Sequence, residues 1–271
     1  MTKRKIDLIA IDIDGTLVNS NKELTKEVKV AIANAREQGI KIVIATGRPL
    51  SGAKRYLQEL DLDDYPNEYV ISFNGAVVQT TNGQAIFEQK LSYDAYVDLE
   101  AIARKLKLHF HAVAMDRIYT AERDIAPYTL YNSRIVKLGI SYRTQAELRN
   151  VGLIKAMFVD EPDYLDQQIK SALFAQVKDK VSLVKTEPFY YEATAAGVDK
   201  GTGLLKLCDH LDLDPARVMA IGDEANDLPM IKAAGIGVAM GNAVDVTKAG
   251  ANEITADCDH NGVAQVINKY L

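Results

Sequence analysis

The run Ile6-Asp7-Leu8-Ile9-Ala10-Ile11-Asp12 constrains the fold more than any other stretch of this chain. It is short, rich in β-branched residues and almost continuously apolar. That is the pattern of a strand covered on both faces, as in parallel sheets flanked by helices. The residues that follow keep the matching rhythm. Residues 26–38 read as a helix, with Val28, Ala31, Ile32 and Ala35 on one face, Thr25 to cap it and Gly39 to end it. Residues 40–45 read as a second buried strand, Pro49 suits the opening of another helix, and residues 69–73 read as a third strand ahead of Asn74-Gly75. The same texture returns in helices over 202–211, 228–234 and 263–270 and strands over 218–222 and 236–240. Strand and helix in alternation predict an α/β core with a parallel sheet.

The middle of the chain differs. His109-Phe110-His111-Ala112-Val113 alternates in polarity, as does the stretch around Ile118-Tyr119-Thr120. Helical patterns near 94–105 and 163–177 separate strand-like pieces such as 154–159. The expected organisation is a split core, residues 1–83 and 195–271, carrying an inserted α+β unit over residues 84–194. With 48% hydrophobic and 25% charged residues, the chain is neither disordered nor a disulfide-stapled miniprotein. The balance of 32 basic against 37 acidic residues gives no footprint for a nucleic-acid partner. Cys208 and Cys258 sit in no paired spacing and read as reduced thiols of a cytoplasmic protein. Lys3, Arg4 and Lys5 ahead of an apolar run imitate a secretion signal, but Asp7, Asp12 and Asp14 break it. No stretch of about 18 apolar residues exists, so no membrane partner is expected.

The chemistry gathers at strand ends. Asp12-Ile13-Asp14-Gly15-Thr16 closes the first strand, and residues two apart in an extended chain point the same way. Asp12 and Asp14 are therefore expected to face one point, where adjacent carboxylates repel unless a proton or a cation lies between them. The second strand ends in Ala45-Thr46-Gly47-Arg48, a hydroxyl with free N–H groups at a helix start, which suits an anion or simple capping. Gly222-Asp223-Glu224-Ala225-Asn226-Asp227 adds a third carboxylate at Asp223 and a hydrogen-bonding amide at Asn226, with Asp227 placed to cap the next helix. Lys200-Gly201 precedes a helix and offers a positive charge to a phosphate. Carboxylates for Mg²⁺, donors for an oxyanion and a lysine fit phosphate-ester chemistry.

In that order, these four segments resemble the motifs of the haloacid dehalogenase-like hydrolases, which have a Rossmann-like core. The large insertion resembles the C2-type cap of the Cof-type phosphatases, and Asn74-Gly75-Ala76 and Ala239-Met240-Gly241-Asn242-Ala243 are similar to that subgroup as well. The segment from His109-Phe110-His111 to Tyr119-Thr120-Ala121-x-Arg123-Asp124 is similar to its broad-specificity sugar phosphatases. The resemblance implies a Mg²⁺-dependent phosphatase acting on small phosphorylated metabolites, sugar phosphates first, through an aspartyl-phosphate. Asp12 would be the nucleophile and Asp14 the acid and base. Mg²⁺ would be held by Asp12, the backbone carbonyl of Asp14, and Asp223, with Asp227 behind them. The Ile13 amide, Thr46, the Gly47 amide, Lys200 and Asn226 would bind the phosphoryl oxygens. Cap candidates for substrate contact are His109, His111, Arg123 and Asp124. Asp14 speaks against a dehalogenase, since a halide needs no proton. Three alternatives stay open: a phosphatase of cofactor phosphates (pyridoxal phosphate or flavin mononucleotide) using Tyr119, Tyr128 or Tyr131 for stacking, a phosphomutase, and a non-catalytic binder of phosphorylated metabolites.

Overall fold

The computed structural model describes residues 5–271, so Lys3 and Arg4 of the basic start lie outside the described residues. The chain forms two compact units. The first runs to Glu88 and resumes at Asp199, and the second is Gln89–Val198. In the first unit, chain order gives β1 (Leu8–Ile11), α1 (Lys26–Glu37), β2 (Lys41–Ala45), α2 (Leu50–Glu59), β3 (Tyr69–Ser72), β4 (Val77–Thr80) and β5 (Ala85–Glu88). The second unit comprises α3 (Tyr93–Leu106), β6 (His109–Val113), β7 (Arg117–Thr120), α4 (Pro127–Val136), β8 (Gly139–Tyr142), β9 (Lys155–Val159), α5 (Pro162–Ile169), β10 (Val181–Glu187) and β11 (Tyr190–Ala195). The first unit then continues with α6 (Lys200–Leu211), β12 (Val218–Gly222), α7 (Leu228–Ala233), β13 (Ile236–Ala239), α8 (Asp245–Gly250), β14 (Glu253–Ile254) and α9 (Gly262–Tyr270).

The sheet of the first unit has the order β14-β13-β12-β1-β2-β3-β4-β5. β1 lies between β12 and β2 and is parallel to both, with Ile11 opposite Ile221 and Ile44. Ile9 and Ile11 pack with Val28, Ile32 and Leu57 from α1 and α2, while Leu8 and Ala10 pack with Leu204, Leu207 and Met230 from α6 and α7. Both faces of the strand are buried, which is why the run reads as continuously apolar. Thr25 caps α1 as expected, its hydroxyl accepting from the Val28 N–H at 3.4 Å. α6 begins earlier than its apolar pattern suggests, because the Asp199 carboxylate accepts from the Thr202 N–H at 2.7 Å and so starts the helix at Lys200.

The expected parallel sheet is parallel only as far as β3. β4 and β5 are antiparallel additions at its edge. Their cause is the turn at Asn74 and Gly75, both at positive φ (55° and 94°), which reverses the chain without a crossover helix. Residues 85–88, assigned by sequence to the insertion, are therefore the last strand of this sheet.

The second unit is α+β. Its sheet has the order β10-β11-β9-β6-β7-β8, antiparallel except for the β7–β8 pair. Phe110, Ala112 and Phe158 on one face pack with Tyr96 and Leu99 of α3. Phe158 is fully buried, its ring 5.1 Å from that of Phe110 and 5.2 Å from that of Phe174. No helix among the described residues is long and apolar enough to cross a membrane. Phe158→Ala is expected to cost about 3–5 kcal/mol, read as a lower urea midpoint for this unit. An unchanged midpoint would mean that the aromatic cluster does not carry this core.

Candidate active site

The parallel sheet sets the site. Asp12 follows the last residue of β1, Thr46 follows β2 and Asp223 follows β12, so adjacent parallel strands bring all three residues to one edge. The Asp12 N–H donates to the Ile221 carbonyl at 3.1 Å, and the Thr46 N–H to Ile71 at 2.8 Å, so the strand tips remain tied to their neighbours. This is the carboxyl edge at which open α/β sheets bind ligands.

At its centre lies a buried ammonium. Lys200 Nζ donates to Asp12 Oδ1 and to Asp227 Oδ1, each at 2.6 Å, and the lysine is 1% exposed. Burial works to lower its pKa, but Asp12 and Asp227 outweigh it and hold the ammonium charged. Asp227 stands at the N-cap position of α7, as the sequence suggests, but its side chain does not cap that helix. It ends a short turn, and its Oδ2 accepts from the backbone N–H groups of Asp223 and Glu224 at 2.9 and 3.0 Å. Both of its oxygens are thus committed, which makes it a fixed anchor for Lys200.

Asp12, Asp223 and Asp227 are all buried, with carboxylate oxygens within 4.8 Å of one another. Among these residues Lys200 supplies the only cationic charge, so the cluster carries an excess of negative charge. The electrostatics record that excess. Asp12 is held well above the usual carboxylate range by burial, reinforced by Asp227 and Asp223 and only partly offset by Lys200. Asp223 is pushed up to about 7, chiefly by burial, against the Thr16 hydroxyl that donates to its Oδ1 at 2.8 Å. An oxygen donor set with surplus negative charge fits a small hard divalent cation such as Mg²⁺. Gly15 makes the close approach possible. It sits at φ 78°, and a Cβ there would lie 2.3 Å from Asp223 Oδ2.

Asp12 and Asp14 do not share one point. Asp12 is still extended, but the chain then turns over Ile13–Leu17, closed by the Leu17 N–H donating to the Asp12 carbonyl at 3.1 Å. The Asp14 carboxylate turns to Arg48, whose Nη2 lies 2.7 Å from both oxygens and whose Nε donates to Oδ2 at 3.0 Å, and to Lys22 Nζ at 2.9 Å. Burial works to raise its pKa, but Arg48 and Lys22 outweigh it and hold Asp14 below the usual range.

The remaining core candidates follow the ends of β1, β2 and β12. Thr46 is buried, and its hydroxyl accepts from the Arg48 N–H at 3.2 Å. Asn226 Nδ2 donates to Asn74 Oδ1 at 3.0 Å, and Asn74 also lies 3.1 Å from where a Cβ on Gly47 would stand. Ile13 is buried at the start of the turn. Sequence reasoning gave no role to Thr16, Arg48, Asn74 or Asn242. Their signal was membership of the same short motifs, which does not disclose where a side chain turns.

In the second unit, His109 and His111 share a strand face as expected, but only His109 is accessible. Its side chain is 45% exposed and meets Glu122 at 2.9 Å. His111 is completely buried, with Nδ1 3.0 Å from Thr129 Oγ1 on α4. Burial and then the Lys155 ammonium push its pKa down to about 3, so the ring is neutral. The expectation that His111 contacts substrate is corrected, because α4 covers it. Arg123 and Asp124 are exposed. Tyr128 stacks on Phe189 at 4.6 Å and Tyr131 meets the same ring edge-on at 5.8 Å, while Tyr119 packs against the apolar core of the unit.

A pH dependence follows for the metal-free protein. Unfolded, Asp223 titrates near 3.8; folded, near 7. The folded state binds this proton more tightly, so the stabilisation is complete below about pH 4 and is lost as pH rises through about 7. In chelator, the wild type is expected to lose stability from pH 4 to 8 more steeply than Asp223→Asn. Equal slopes in urea titrations of the two proteins would refute this.

A family model described as haloacid dehalogenase-like hydrolase matches residues 9–267. A protein of Streptococcus pyogenes serotype M6, provisionally named a phosphatase, is 41% identical over 98% of each chain. YitU of Bacillus subtilis, named a 5-amino-6-(5-phospho-D-ribitylamino)uracil phosphatase, is 30% identical over 97% of each chain. A solved haloacid dehalogenase-like hydrolase from Bacteroides thetaiotaomicron has a TM-score of 0.87 at 30% identity, covering 98% of this chain and 100% of its own. With its motifs in order along the strand tips and the family match spanning nearly its whole length, this chain belongs to the haloacid dehalogenase-like hydrolases.

Proposed function

We propose that the protein is a Mg²⁺-dependent phosphomonoesterase of small phosphorylated metabolites, sugar phosphates first, working through an aspartyl-phosphate. One observation carries this reading. Asp12 is a buried carboxylate at a strand tip, clustered with Asp223 and paired with a buried lysine. The names of the streptococcal and Bacillus relatives support the phosphatase class.

Asp12 attacks phosphorus through a carboxylate oxygen, and the P–O bond to the leaving alcohol breaks. Asp14 gives the departing alkoxide a proton, then takes one from the water that hydrolyses the acyl phosphate. As folded, Asp14 is engaged by Arg48 and Lys22, so giving a proton requires it to leave both cations and become protonated. Lys200, Thr46, Asn226 and the backbone N–H groups of Ile13 and Gly47 hold the phosphoryl oxygens. Asp12, Asp223 and the Asp14 carbonyl are the groups that would hold Mg²⁺, which when bound supplies positive charge against the carboxylates and the phosphate. Asp227 holds Lys200 from behind.

The compact unit Gln89–Val198 is the candidate cap. We assign substrate selection to it, with His109, Arg123 and Asp124 as candidate contacts. A second substrate class, cofactor-type phosphates, draws support from the substrate named for YitU, a phosphorylated ribityl chain on a uracil. The two free thiols suit a cytoplasmic setting.

Phosphate release from a panel of sugar phosphates, pyridoxal phosphate and flavin mononucleotide tests the reading. Asp12→Asn is expected to lower kcat by about 10³-fold or more, and chelation of divalent metal to suppress turnover. Activity near wild type in either arm would sink the mechanism. An isomeric phosphate without release would identify a phosphomutase, and tight binding without turnover a binding protein.

A further inference from the structure

We propose that Asn242 is a positioning residue that sets the affinity of the metal site, fixing the Asp223 carboxylate and the Gly15 carbonyl with a single amide. The proposal rests on the metal-dependent reading above. Asn242 follows β13 in the segment Ala239-Met240-Gly241-Asn242-Ala243, which the mechanism leaves unused. Although it faces solvent, its whole amide is engaged. Nδ2 donates to the Gly15 carbonyl at 2.8 Å and to Asp223 Oδ2 at 3.3 Å, and Oδ1 accepts from the Cys258 N–H at 3.0 Å.

A primary amide offers two N–H hydrogens at one end and a carbonyl oxygen at the other. Here two acceptors meet the donor end and a donor meets the acceptor end, so only one orientation satisfies all three partners. A flipped amide would set its oxygen against a carbonyl and a carboxylate. Asn242 thus joins three segments: the Gly15 turn, the Asp223 loop and the short turn Cys258–His260.

Thr16 completes the grip. Its hydroxyl donates to Asp223 Oδ1 at 2.8 Å while Asn242 takes Oδ2, so each oxygen has one side-chain donor. The carboxylate plane is then fixed, and further lone pairs remain available for a cation. Side chains behind a metal ligand orient it in this way, and removing one costs metal affinity. Asn242 also fixes the turn that carries Asp14, whose carbonyl is a proposed ligand. Its influence therefore runs through Asp223 and the turn, without contact with substrate.

The test is calorimetric titration of MgCl₂ into metal-free full-length protein, for wild type, Asn242→Ala and Thr16→Val. Metal-free melting temperatures report the fold of each. Asn242→Ala and Thr16→Val are each expected to raise the Mg²⁺ Kd by about tenfold. A lowered melting temperature with an unchanged Mg²⁺ Kd is the result of a merely structural role, and it overturns the proposal. Should Asn242→Ala fail to fold, an unchanged Kd in folded Thr16→Val overturns it equally. A wild type that binds Mg²⁺ while both variants bind as tightly removes this inference alone; a wild type that binds none removes the metal-dependent reading with it.

Discussion

A lysine ammonium sealed between two carboxylates is the constraint on which the site depends. An unpaired ammonium at 1% exposure would be untenable, and so would Asp12 and Asp227 without it, because a buried charge deprived of its partner is among the costliest defects a fold can hold. The pair bonds therefore dictate position. Lys200 is the first residue of α6, and the start of that helix is set by the Asp199 cap. Asp199 in turn packs against the turn after β3, where a Cβ on Gly75 would stand 1.9 Å from the Asp199 carbonyl. One close backbone approach thus fixes where α6 begins, and with it where the ammonium reaches.

The sheet supplies the other half of the geometry. β12, β1 and β2 are adjacent and parallel, so their carboxyl ends coincide although the sequence separates them widely. The chain can leave the second unit to fold around its own aromatic core because entry at Glu88 and return at Asp199 both belong to the first unit. A split core needs only strand pairing across the gap, and the β1–β12 register provides it.

Most of this was legible in the sequence because it depends on local pattern. Buried parallel strands are apolar runs, and strand-end carboxylates stand out against them. What escaped was decided by tertiary partners. Period-two alternation placed His109 and His111 on one face, but it cannot say that α4 covers one and leaves the other half exposed. The spacing of Asp12 and Asp14 implies convergence, yet the turn that opens at Ile13 and the reach of Arg48 give their carboxylates different cations. In sequence Asn74-Gly75 marks only the end of a strand; the reversal into antiparallel β4 and β5 depends on the positive φ of both residues.

The two aspartates of the first motif end in opposite electrostatic regimes, and the contrast bears on their division of labour. Asp12 is pushed up by burial amid other carboxylates, whereas Asp14 is pulled down by Arg48 and Lys22. In the proposed mechanism the nucleophile works ionised and the acid works protonated: burial opposes an ionised Asp12 and Lys200 supports it, whereas Arg48 and Lys22 oppose a protonated Asp14. The two conditions have separate remedies. Positive charge beside Asp12 and Asp223 favours their ionised forms, while Asp14 becomes protonated only by parting from its ion pairs with Arg48 and Lys22, which solvent reaches. In the proposed mechanism the two functions are thus kept apart: the buried cluster answers to cation charge, and Asp14 answers to its release by Arg48 and Lys22.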